Sequence, residues 1–234
     1  MQKIQTVLSP LLLQLTSLEE KVVVVIDVLR ATSSICVAFA HGASKIIPVA
    51  TPEECMQYKI QGFIAAAERD GKPVDGFSIG NSPFSYMTEE INGASIAMTT
   101  TNGTQAIQLS KAAHRVIIGS FLNKKAICDY LIQENRDVIL LCSGWKNNFN
   151  LEDTLFAGAL ADALASEFII ADDASIAAID LYRLAEPNLN EYILKSSHAH
   201  RFKVLGIEKD IRFCLQQNIY NKVPVLKDGF LISV

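Results

Sequence analysis

Short apolar runs rich in valine, isoleucine and alanine alternate along the chain with longer stretches whose apolar residues recur at helical spacing. The run Val22–Val28 is apolar except for Asp27, as expected of a strand that is buried on both faces of a parallel sheet. The pattern predicts strands at Val22–Val28, Lys45–Ala50, Phe63–Ala67, Ala94–Thr100, Arg115–Ser120 and Val138–Cys142. It predicts helices at Ser33–His41, Pro52–Ile60, Thr104–Ala113, Lys124–Asn135 and Leu151–Glu167, with caps at Thr51, Asn123 and Asn150.

The alternation of strands and helices indicates an α/β fold with a largely parallel or mixed sheet and helices on its faces. At 234 residues the chain has the length of a single α/β domain, or of two small subdomains packed intimately together. After Leu181 the pattern is less regular. It predicts a helical tail and then a hairpin of Pro224–Leu226 and Phe230–Val234, which turns at Asp228-Gly229.

Composition narrows the classes of function. Half of the residues are hydrophobic, which favours a large core over disorder. The net charge of −4 and the lack of a basic run argue against nucleic acid or a membrane surface as the partner, although local cations in a cleft could bind a small anion. The five cysteines form no CxxC pair, as expected of reduced thiols. Without a signal peptide or a membrane-length apolar run, we expect a cytoplasmic protein, and the sequence leaves a homo-oligomer open.

The first polar cluster follows the strand at Val22–Val28. Asp27 provides a hard oxygen ligand of the kind that Mg²⁺ prefers, and the guanidinium of Arg30 could bind a phosphate or a carboxylate. Thr32 and Ser33 stand at the start of a predicted helix, where free backbone amides favour anions. A structural Asp–Arg pair with a helix cap explains the same residues equally well.

A second cluster follows the third predicted strand. Glu68 and Arg69 could supply a metal ligand and a phosphate clamp, or could form a solvated turn. The loop at 70–83 is rich in glycine and proline, and its apolar residues favour an ordered active-site loop. Near its end, Asn81 and Ser82 could contact a ligand or cap the helix that follows.

The segment Thr100-Thr101-Asn102-Gly103-Thr104 leads from a predicted strand into a predicted helix. Its hydroxyl groups, its amides and its glycine suit phosphate binding at the start of a helix. It is not a Walker A loop, because the chain has no GxxxxGK[ST] motif. The alternative is an ordinary junction between a strand and a helix.

The remaining polar positions are Cys142 at a strand end, Glu152 and Asp153 in the first turn of a helix, and His198. No CxxxxxR phosphatase loop follows Cys142, so a buried inert thiol explains it better than a nucleophile does. The helix dipole alone favours acids in a first turn. His198 belongs to no metal-binding motif, and a catalytic role for it competes with a place beside a helix cap.

The order of these motifs is more specific than any one of them. Along the chain stand DVLRATS from Asp27, ERxG from Glu68, GFxxGNSP ending at Pro83, TTNGT from Thr100, CxG with LED after it, and SSH with a GxxxD helix. This series resembles the 2-phosphosulfolactate phosphatase family over nearly the whole chain, from Asp27 to Pro224. The resemblance implies a three-layer α/β/α fold. It also implies Mg²⁺-dependent hydrolysis of (2R)-2-phospho-3-sulfolactate to 3-sulfolactate and phosphate, a step of coenzyme M synthesis in methanogens.

Matched to the family pattern, the candidate site residues fall into three groups. The residues expected to be catalytic are Asp27, Arg30, Glu68, Arg69, Asn102 and Cys142. The residues expected to contact the small anionic phosphorylated substrate are Thr32, Ser33, Asn81, Ser82, Thr101, Gly103, Thr104 and His198. The Mg²⁺ ligands are expected among Asp27, Glu68, Glu152 and Asp153. The chain departs from the pattern at three positions. Ser85 stands where the family commonly has an acidic residue, Gln105 where it has an arginine, and Asn218 where it has an aspartate.

Hydrolysis of a phosphate ester requires charge neutralisation, in-line positioning and an activated nucleophile. The chain lacks the DxDx[TV] signature of aspartyl-phosphate phosphatases, which favours metal-activated water over a phospho-enzyme at Asp27 or Cys142. Two alternatives come from other classes: a lyase or transferase that acts on a phospho-carboxylate, and a non-catalytic sensor of a phosphorylated metabolite. Phosphate release that requires Mg²⁺ would separate the phosphatase from both.

Overall fold

A computed structural model describes residues 1–77 and 79–234, and within them eleven strands form one sheet. The order across the sheet is β5-β4-β6-β3-β11-β10-β7-β2-β8-β1-β9. In chain order the strands are β1 (Lys3–Val7), β2 (Val22–Ile26), β3 (Lys45–Pro48), β4 (Ile64–Arg69), β5 (Lys72–Pro73), β6 (Ser95–Thr99), β7 (Arg115–Gly119), β8 (Val138–Cys142), β9 (Ile169–Ile170), β10 (Pro224–Lys227) and β11 (Phe230–Ser233).

The sheet consists of two parallel groups that the C-terminal hairpin joins. Strands β4, β6 and β3 are parallel, as are β7, β2, β8, β1 and β9. The hairpin pairs antiparallel with both groups, since Val225 of β10 lies opposite Ile117 of β7 and Leu231 of β11 lies opposite Ile46 of β3. The sheet is therefore mixed, because the two hairpin strands run antiparallel to their neighbours, as does the edge strand β5 to β4.

Helices cover both faces of this sheet. They are α1 (Ala31–Ala40), α2 (Pro52–Ile60), α3 (Gly103–Leu109), α4 (Lys124–Glu134), α5 (Leu151–Ala163), α6 (Asp173–Ala185), α7 (Leu189–Ile193), α8 (Ser197–Val204) and α9 (Glu208–Cys214). One face of β2 belongs to a core with Phe156 of α5, and the other belongs to a core with Ile35 of α1. All five residues of β2 are buried, which explains its unbroken apolar sequence. The fold is a three-layer α/β/α arrangement.

The structure confirms most of the predicted elements, with small changes at their ends. The hairpin is present, and both Asp228 and Gly229 in its turn have positive φ, as a tight two-residue hairpin turn requires. Thr51 caps α2, since its side chain accepts a hydrogen bond from the backbone of Glu54. Asn123 and Asn150 stand at the N-cap positions of α4 and α5, as predicted, but neither side chain makes the capping hydrogen bond.

Strands β1, β5 and β9 are absent from the sequence-based prediction. β5 and β9 have two residues each, too few to show an alternating pattern. β1 does alternate, but it precedes the first strong apolar run and pairs with β8, which lies far along the chain. Among the described helices, none is long and apolar enough to cross a membrane.

Candidate active site

Polar residues from several strand ends line one pocket at the carboxyl edge of the sheet. Asp27 follows β2, Glu68 lies near the end of β4, Asn102 follows β6 and Trp145 follows β8. Ligands bind at this edge in open α/β sheets. The lining is completed by Leu29, Arg30, Gly71, Asn81, His198, Arg201 and Phe202.

Asp27 is a buried carboxylate at the centre of this charged group. Burial raises its pKa to about 7, the positive charge of His198 opposes the shift, and the negative charges of Glu68 and Glu152 add to it. Several carboxylates therefore act on one another around Asp27, and the charge of His198 offsets their effect on it only in part. Such a site favours a bound proton or a bound cation.

Arg30 is held in the pocket by a residue from the far end of the chain. Its Nη1 donates to Oδ2 of Asp210 at 2.5 Å, and its Nη2 donates to the carbonyl of Gly71 at 2.8 Å. Both Arg30 and Asp210 are buried. Ser82 donates to the other oxygen of Asp210 at 3.2 Å, so Ser82 acts on the carboxylate that fixes Arg30.

Glu68 is fixed by the turn that follows β6. Its carboxylate accepts from the backbone and the hydroxyl of Thr101 at 3.3 Å, and from the backbone of Gly71 at 2.5 Å. These contacts join the loop at 70–83 to the Thr100–Thr104 segment. They also hold the carboxylate of Glu68 against the pocket without neutralising its charge.

Gly103 allows α3 to begin directly beside Asp27. A Cβ atom at this position would lie 2.6 Å from Cβ of Ala31 and 2.9 Å from Oδ2 of Asp27, which no side chain tolerates. Asn102, one residue earlier, lines the pocket and accepts a hydrogen bond from the backbone of Lys146 at 3.0 Å. The glycine of the predicted phosphate-binding segment is therefore needed for the close approach of two elements.

His198 forms a buried pair with Glu152. Its Nδ1 contacts Oε1 of Glu152, which leaves Nε2 as the ring nitrogen free to act on a ligand. The His198 ring packs against Trp145, with centroids 5.4 Å apart, and against Phe202, with centroids 4.7 Å apart. These three rings form an aromatic wall on one side of the pocket.

Two guanidinium groups lie against this aromatic wall. Cζ of Arg201 lies 3.3 Å from the ring centroid of Trp145, and Cζ of Arg30 lies 5.1 Å from that of Phe202. Burial lowers the pKa of Arg201, although the nearby charges of Glu68, Glu152 and Asp70 oppose the shift. The guanidinium of arginine nevertheless stays charged at neutral pH.

Two buried oxygen atoms, one from the pocket lining and one from Glu152 behind it, have the chemistry of divalent-cation ligands. Oδ1 of Asn81 and Oε2 of Glu152 are buried and have no hydrogen-bond partner among the described residues. In residues 1–77 and 79–234, no three His, Cys, Asp or Glu side chains are grouped closely enough to form a complete ligand set. Mg²⁺ commonly uses only one or two carboxylates and completes its shell with water and substrate phosphate. Asp27, Glu68 and Asn81 fit that requirement.

The structure does not place Arg69 in the pocket. Its guanidinium donates to the carbonyl groups of Glu68 and Ala50 and to the hydroxyl of Thr99, so it fixes the end of β4. The expectation that Arg30 and Arg69 clamp one anion is therefore corrected. Only Arg30 of these two lines the pocket.

Asp153 is not available as a metal ligand in this structure. Its Oδ1 accepts from the backbone of Val28 at 2.8 Å, and its Oδ2 accepts from Gly144 and Asn150 at 3.1 and 2.9 Å. The side chain is fully buried, and burial together with the charges of Asp27 and Glu152 raises its pKa well above the ordinary value. Asp153 positions the strand ends around the pocket and does not line it.

Other predicted site residues are likewise absent from the pocket lining. Thr32 accepts from the backbone of Asp27, Ser33 donates to the carbonyl of Val28, and Thr104 bonds to Thr100. These hydroxyl groups hold the turns after β2 and β6. Cys142 is fully buried at the end of β8, and burial raises its thiol pKa well above 9, so a thiolate nucleophile is disfavoured.

The three departures from the family pattern do not line the pocket either. Gln105 is exposed and lies near Pro10 and Leu11, and Asn218 accepts a hydrogen bond from the backbone of Lys125. Ser85 belongs to a 3₁₀ turn that follows the loop at 70–83. None of these three side chains belongs to the pocket lining.

Six residues at the site are missing from the predicted site residues: Leu29, Gly71, Trp145, Arg201, Phe202 and Asp210. Two of them carry a usable signal. Arg201 follows His198 by three positions in α8, which places both on one side of the helix. Asp210 ends the GxxxD motif, but sequence alone does not show that it meets Arg30.

The chain is similar in sequence to known proteins over nearly its whole length. A family model described as 2-phosphosulpholactate phosphatase matches residues 7–229. A protein of Thermotoga maritima named "Probable 2-phosphosulfolactate phosphatase" is 41% identical over 214 residues, which cover 92% of each chain. One with the same name from Caldanaerobacter subterraneus subsp. tengcongensis is 39% identical over 219 residues, which cover 92% of this chain and 91% of that one. With a match that extends over nearly its whole length, this chain belongs to the 2-phosphosulpholactate phosphatase family.

Proposed function

We propose that this protein is a Mg²⁺-dependent phosphatase that hydrolyses (2R)-2-phospho-3-sulfolactate to 3-sulfolactate and phosphate. Membership of the family and the names of its relatives support the substrate. The observation that carries the proposal is the composition of one pocket, whose lining includes the acids Asp27 and Glu68 and the arginines Arg30 and Arg201. This combination suits a phosphorylated acid, because the arginines can bind its anionic groups and the carboxylates can hold a metal ion.

Asp27, Glu68 and the side-chain oxygen of Asn81 would hold the Mg²⁺. Asp27 and Glu68 supply negative charge, and the unpartnered Oδ1 of Asn81 supplies a neutral oxygen. When bound, Mg²⁺ supplies Lewis-acid polarisation of a phosphoryl oxygen and lowers the pKa of bound water. The unpartnered oxygen of Glu152 lies in the same buried group, where it adds to the negative charge around Asp27.

Arg30 binds the phosphoryl group in this proposal. Asp210 and Gly71 hold two of its nitrogen atoms, so the plane of the guanidinium is fixed before substrate arrives. A fixed donor costs no reorganisation as charge develops on the phosphoryl oxygens. Asn102, whose Oδ1 accepts a hydrogen bond from the backbone of Lys146, bounds the pocket on the side where α3 begins.

His198 moves the proton that hydrolysis requires. Water attacks phosphorus, the bond between phosphorus and the ester oxygen breaks, and the ester oxygen takes up a proton to become the hydroxyl of sulfolactate. One proton of the water is thus transferred to the leaving oxygen and the other stays on phosphate. Nε2 of His198 is the atom for this transfer, because Glu152 holds Nδ1 and fixes the ring.

The test is phosphate release from 2-phospho-3-sulfolactate with Mg²⁺ and with a chelator in its place. We expect equal amounts of phosphate and 3-sulfolactate, formed only with Mg²⁺. Loss of substrate without phosphate release would favour a lyase or transferase. Binding without turnover would favour a sensor, and either result contradicts the proposal.

A further inference from the structure

The pocket at the carboxyl edge of the sheet is too tight for the molecule that it is proposed to bind. It leaves about 10 Å³ for the centres of water molecules, no more than one water molecule requires. Sites for small ligands usually offer about 300–1,000 Å³, and even inorganic phosphate is larger than a water molecule. Part of the pocket wall must therefore move before a ligand can enter.

The loop at 144–149, between β8 and α5, carries Trp145 and forms one part of this wall. On the pocket side, the indole packs against the ring of His198 and against the guanidinium of Arg201. The same indole is still partly exposed to solvent. The loop thus lies between the pocket and the solvent, where a moving segment would control access.

The backbone of this loop is strained. Lys146 and Asn147 have positive φ, of 49° and 64°, and among the described residues they are the only two consecutive non-glycine residues that do. Such backbone is disfavoured for a residue with a side chain. Oδ1 of Asn147, and Oγ of Ser143 and Oδ1 of Asn150 at the ends of the loop, are buried without a hydrogen-bond partner among the described residues. Both features raise the free energy of this arrangement and narrow the gap to other arrangements of the loop.

An ion pair holds the loop to the opposite side of the pocket. Nζ of Lys146 lies 3.1 Å from Oδ1 of Asp70, in the tight turn between β4 and β5. That turn is itself fixed, because the backbone of Gly71 donates to Glu68 and accepts from Arg30. The two charged side chains are 57% and 69% exposed, and exposed ion pairs are weak. The contact therefore favours the closed arrangement of the loop without locking it.

We propose that Lys146 is a positioning residue: its ion pair with Asp70 latches the loop at 144–149 over the pocket, and ligands enter and leave when this latch opens. The proposal rests on the proposed function, because it takes this pocket as the place where substrate binds. Lys146 is the only charged residue of the loop. The hydrogen bonds that also hold the loop, from Ser9 to the carbonyl of Asn147 and from the backbone of Lys146 to Asn102, do not depend on its charge.

The test exchanges the two charges of the latch. Lys146→Asp and Asp70→Lys each replace the attraction by a repulsion, and the double variant restores the attraction with the charges reversed. Both positions have positive φ and carry a charged side chain in the wild type. Lys125→Asp, which breaks an exposed ion pair with Asp129 on α4, is the matched control. Lys146→Met, which removes the charge without a repulsion, replaces a single variant that does not fold.

The first measurement is the quenching of Trp145 fluorescence by acrylamide, a neutral quencher. Trp145 is the only tryptophan of the chain, so its fluorescence reports on this loop. We expect stronger quenching in both single variants than in the wild type, and wild-type quenching in the double variant and in Lys125→Asp. Unchanged quenching in the single variants, or a double variant that does not return to the wild-type value, would overturn the latch.

The second measurement is the exchange of inorganic phosphate in the presence of Mg²⁺, from ³¹P NMR line shapes. We expect phosphate to dissociate about two- to fivefold faster from both single variants, the range for loss of one exposed ion pair, and at the wild-type rate from the double variant. Lys146→Asp and Asp70→Lys change the local charge in opposite directions. An effect of charge on the bound anion alone would therefore speed dissociation in one variant and slow it in the other. That result, or rates that do not change, would overturn the role of the latch in ligand access.

Turnover separates this inference from the proposed function. If quenching and phosphate exchange follow the charges but the wild type does not hydrolyse 2-phospho-3-sulfolactate, the latch stands and the phosphatase proposal fails. If the wild type hydrolyses it but neither measurement responds to the exchanged charges, the phosphatase proposal stands and the latch fails. A wild type that does not bind phosphate would contradict both.

Discussion

Asp210 and Arg30 form a buried ion pair, with Oδ2 of Asp210 2.5 Å from Nη1 of Arg30, although 180 positions separate them in the chain. The pair joins α9 to the start of α1 and fixes a guanidinium in the pocket. We expect Asp210→Asn to lower the free energy of unfolding by about 3 kcal/mol, because it leaves the charge of Arg30 buried without a counterion. Urea unfolding of both proteins measures this difference.

Asp129→Asn is the control for Asp210→Asn. Asp129 also forms an ion pair, in which its Oδ2 lies 2.5 Å from Nζ of Lys125, but both of these side chains are exposed. The stability of this variant should hardly change, since exposed pairs contribute little. If Asp210→Asn were as stable as Asp129→Asn, the buried pair would not have the structural role assigned to it.

The different surroundings of Arg30 and Arg69 give a second prediction. Arg30→Lys should lose about 10- to 100-fold in kcat/KM, because lysine cannot both reach Asp210 and present a planar fork to the phosphoryl group. Arg69→Lys should keep most of its kcat/KM, because Arg69 bonds to Ala50 and Thr99 and does not line the pocket. Steady-state kinetics on both variants checks this, and equal losses would place Arg69 in the catalytic pocket after all.

These two arginines show what the sequence could and could not predict. Arg30 comes three positions after Asp27 and Arg69 comes directly after Glu68, and a place behind a strand-end acid suggests the same role for both. The direction of a long side chain depends on which acceptors are near it in space. Asp210 reaches Arg30 only through the folding of the C-terminal helices, and nothing in the local pattern indicates that contact.

The core elements were predictable for a physical reason. β2 and β8 are buried on both faces and consist entirely of apolar residues, apart from the thiol of Cys142, so burial itself produces their sequence pattern. The alternation between such strands and helices predicts the layered fold. The sequence places Asn123 and Asn150 at N-cap positions, but it does not show that each side chain bonds to a residue three positions away, Ser120 and Asp153, instead of capping its helix.

Cys142 provides a third prediction. The thiol is fully buried, and burial, reinforced by the charge of Asp153, raises its pKa well above 9, so it is protonated at neutral pH. We expect Cys142→Ser to retain most of the phosphate-release activity and to lose some stability, since serine places a polar hydroxyl group in the core. Cys36→Ser, at another fully buried thiol with a pKa raised to about 12, should behave in the same way. Loss of activity in a folded Cys142→Ser protein alone would indicate a phospho-cysteine route.

A fourth prediction concerns stability and pH in the absence of divalent cations. The pKa of Asp27 rises on folding from 3.8 to about 7, so the folded state binds a proton more tightly than the unfolded state does. This contribution to stability is complete below pH 3.8 and is lost as the pH rises through about 7. Relative to Asp27→Asn, the wild type should therefore lose on the order of 2–3 kcal/mol between pH 5 and pH 8.

Urea unfolding at several pH values, with a chelator present, measures this effect as the difference between the two proteins. Subtracting one free energy of unfolding from the other at each pH cancels the contributions of groups that titrate equally in both proteins. Parallel stability curves for the wild type and Asp27→Asn would show that Asp27 titrates near its ordinary pKa. The charge of the pocket would then be smaller than its geometry indicates.

The most direct measurement of the central claim is the rate of phosphate release from 2-phospho-3-sulfolactate by Asp27→Asn as Mg²⁺ is added. Asparagine keeps the shape of the side chain but removes the negative charge proposed to hold Mg²⁺. Asp228→Asn, in the exposed hairpin turn, is the control for the substitution itself. We predict that the wild type and Asp228→Asn show Mg²⁺-dependent phosphate release and that folded Asp27→Asn loses most of it at every Mg²⁺ concentration. Wild-type turnover and wild-type metal dependence in Asp27→Asn would contradict the assignment of this pocket as the active site.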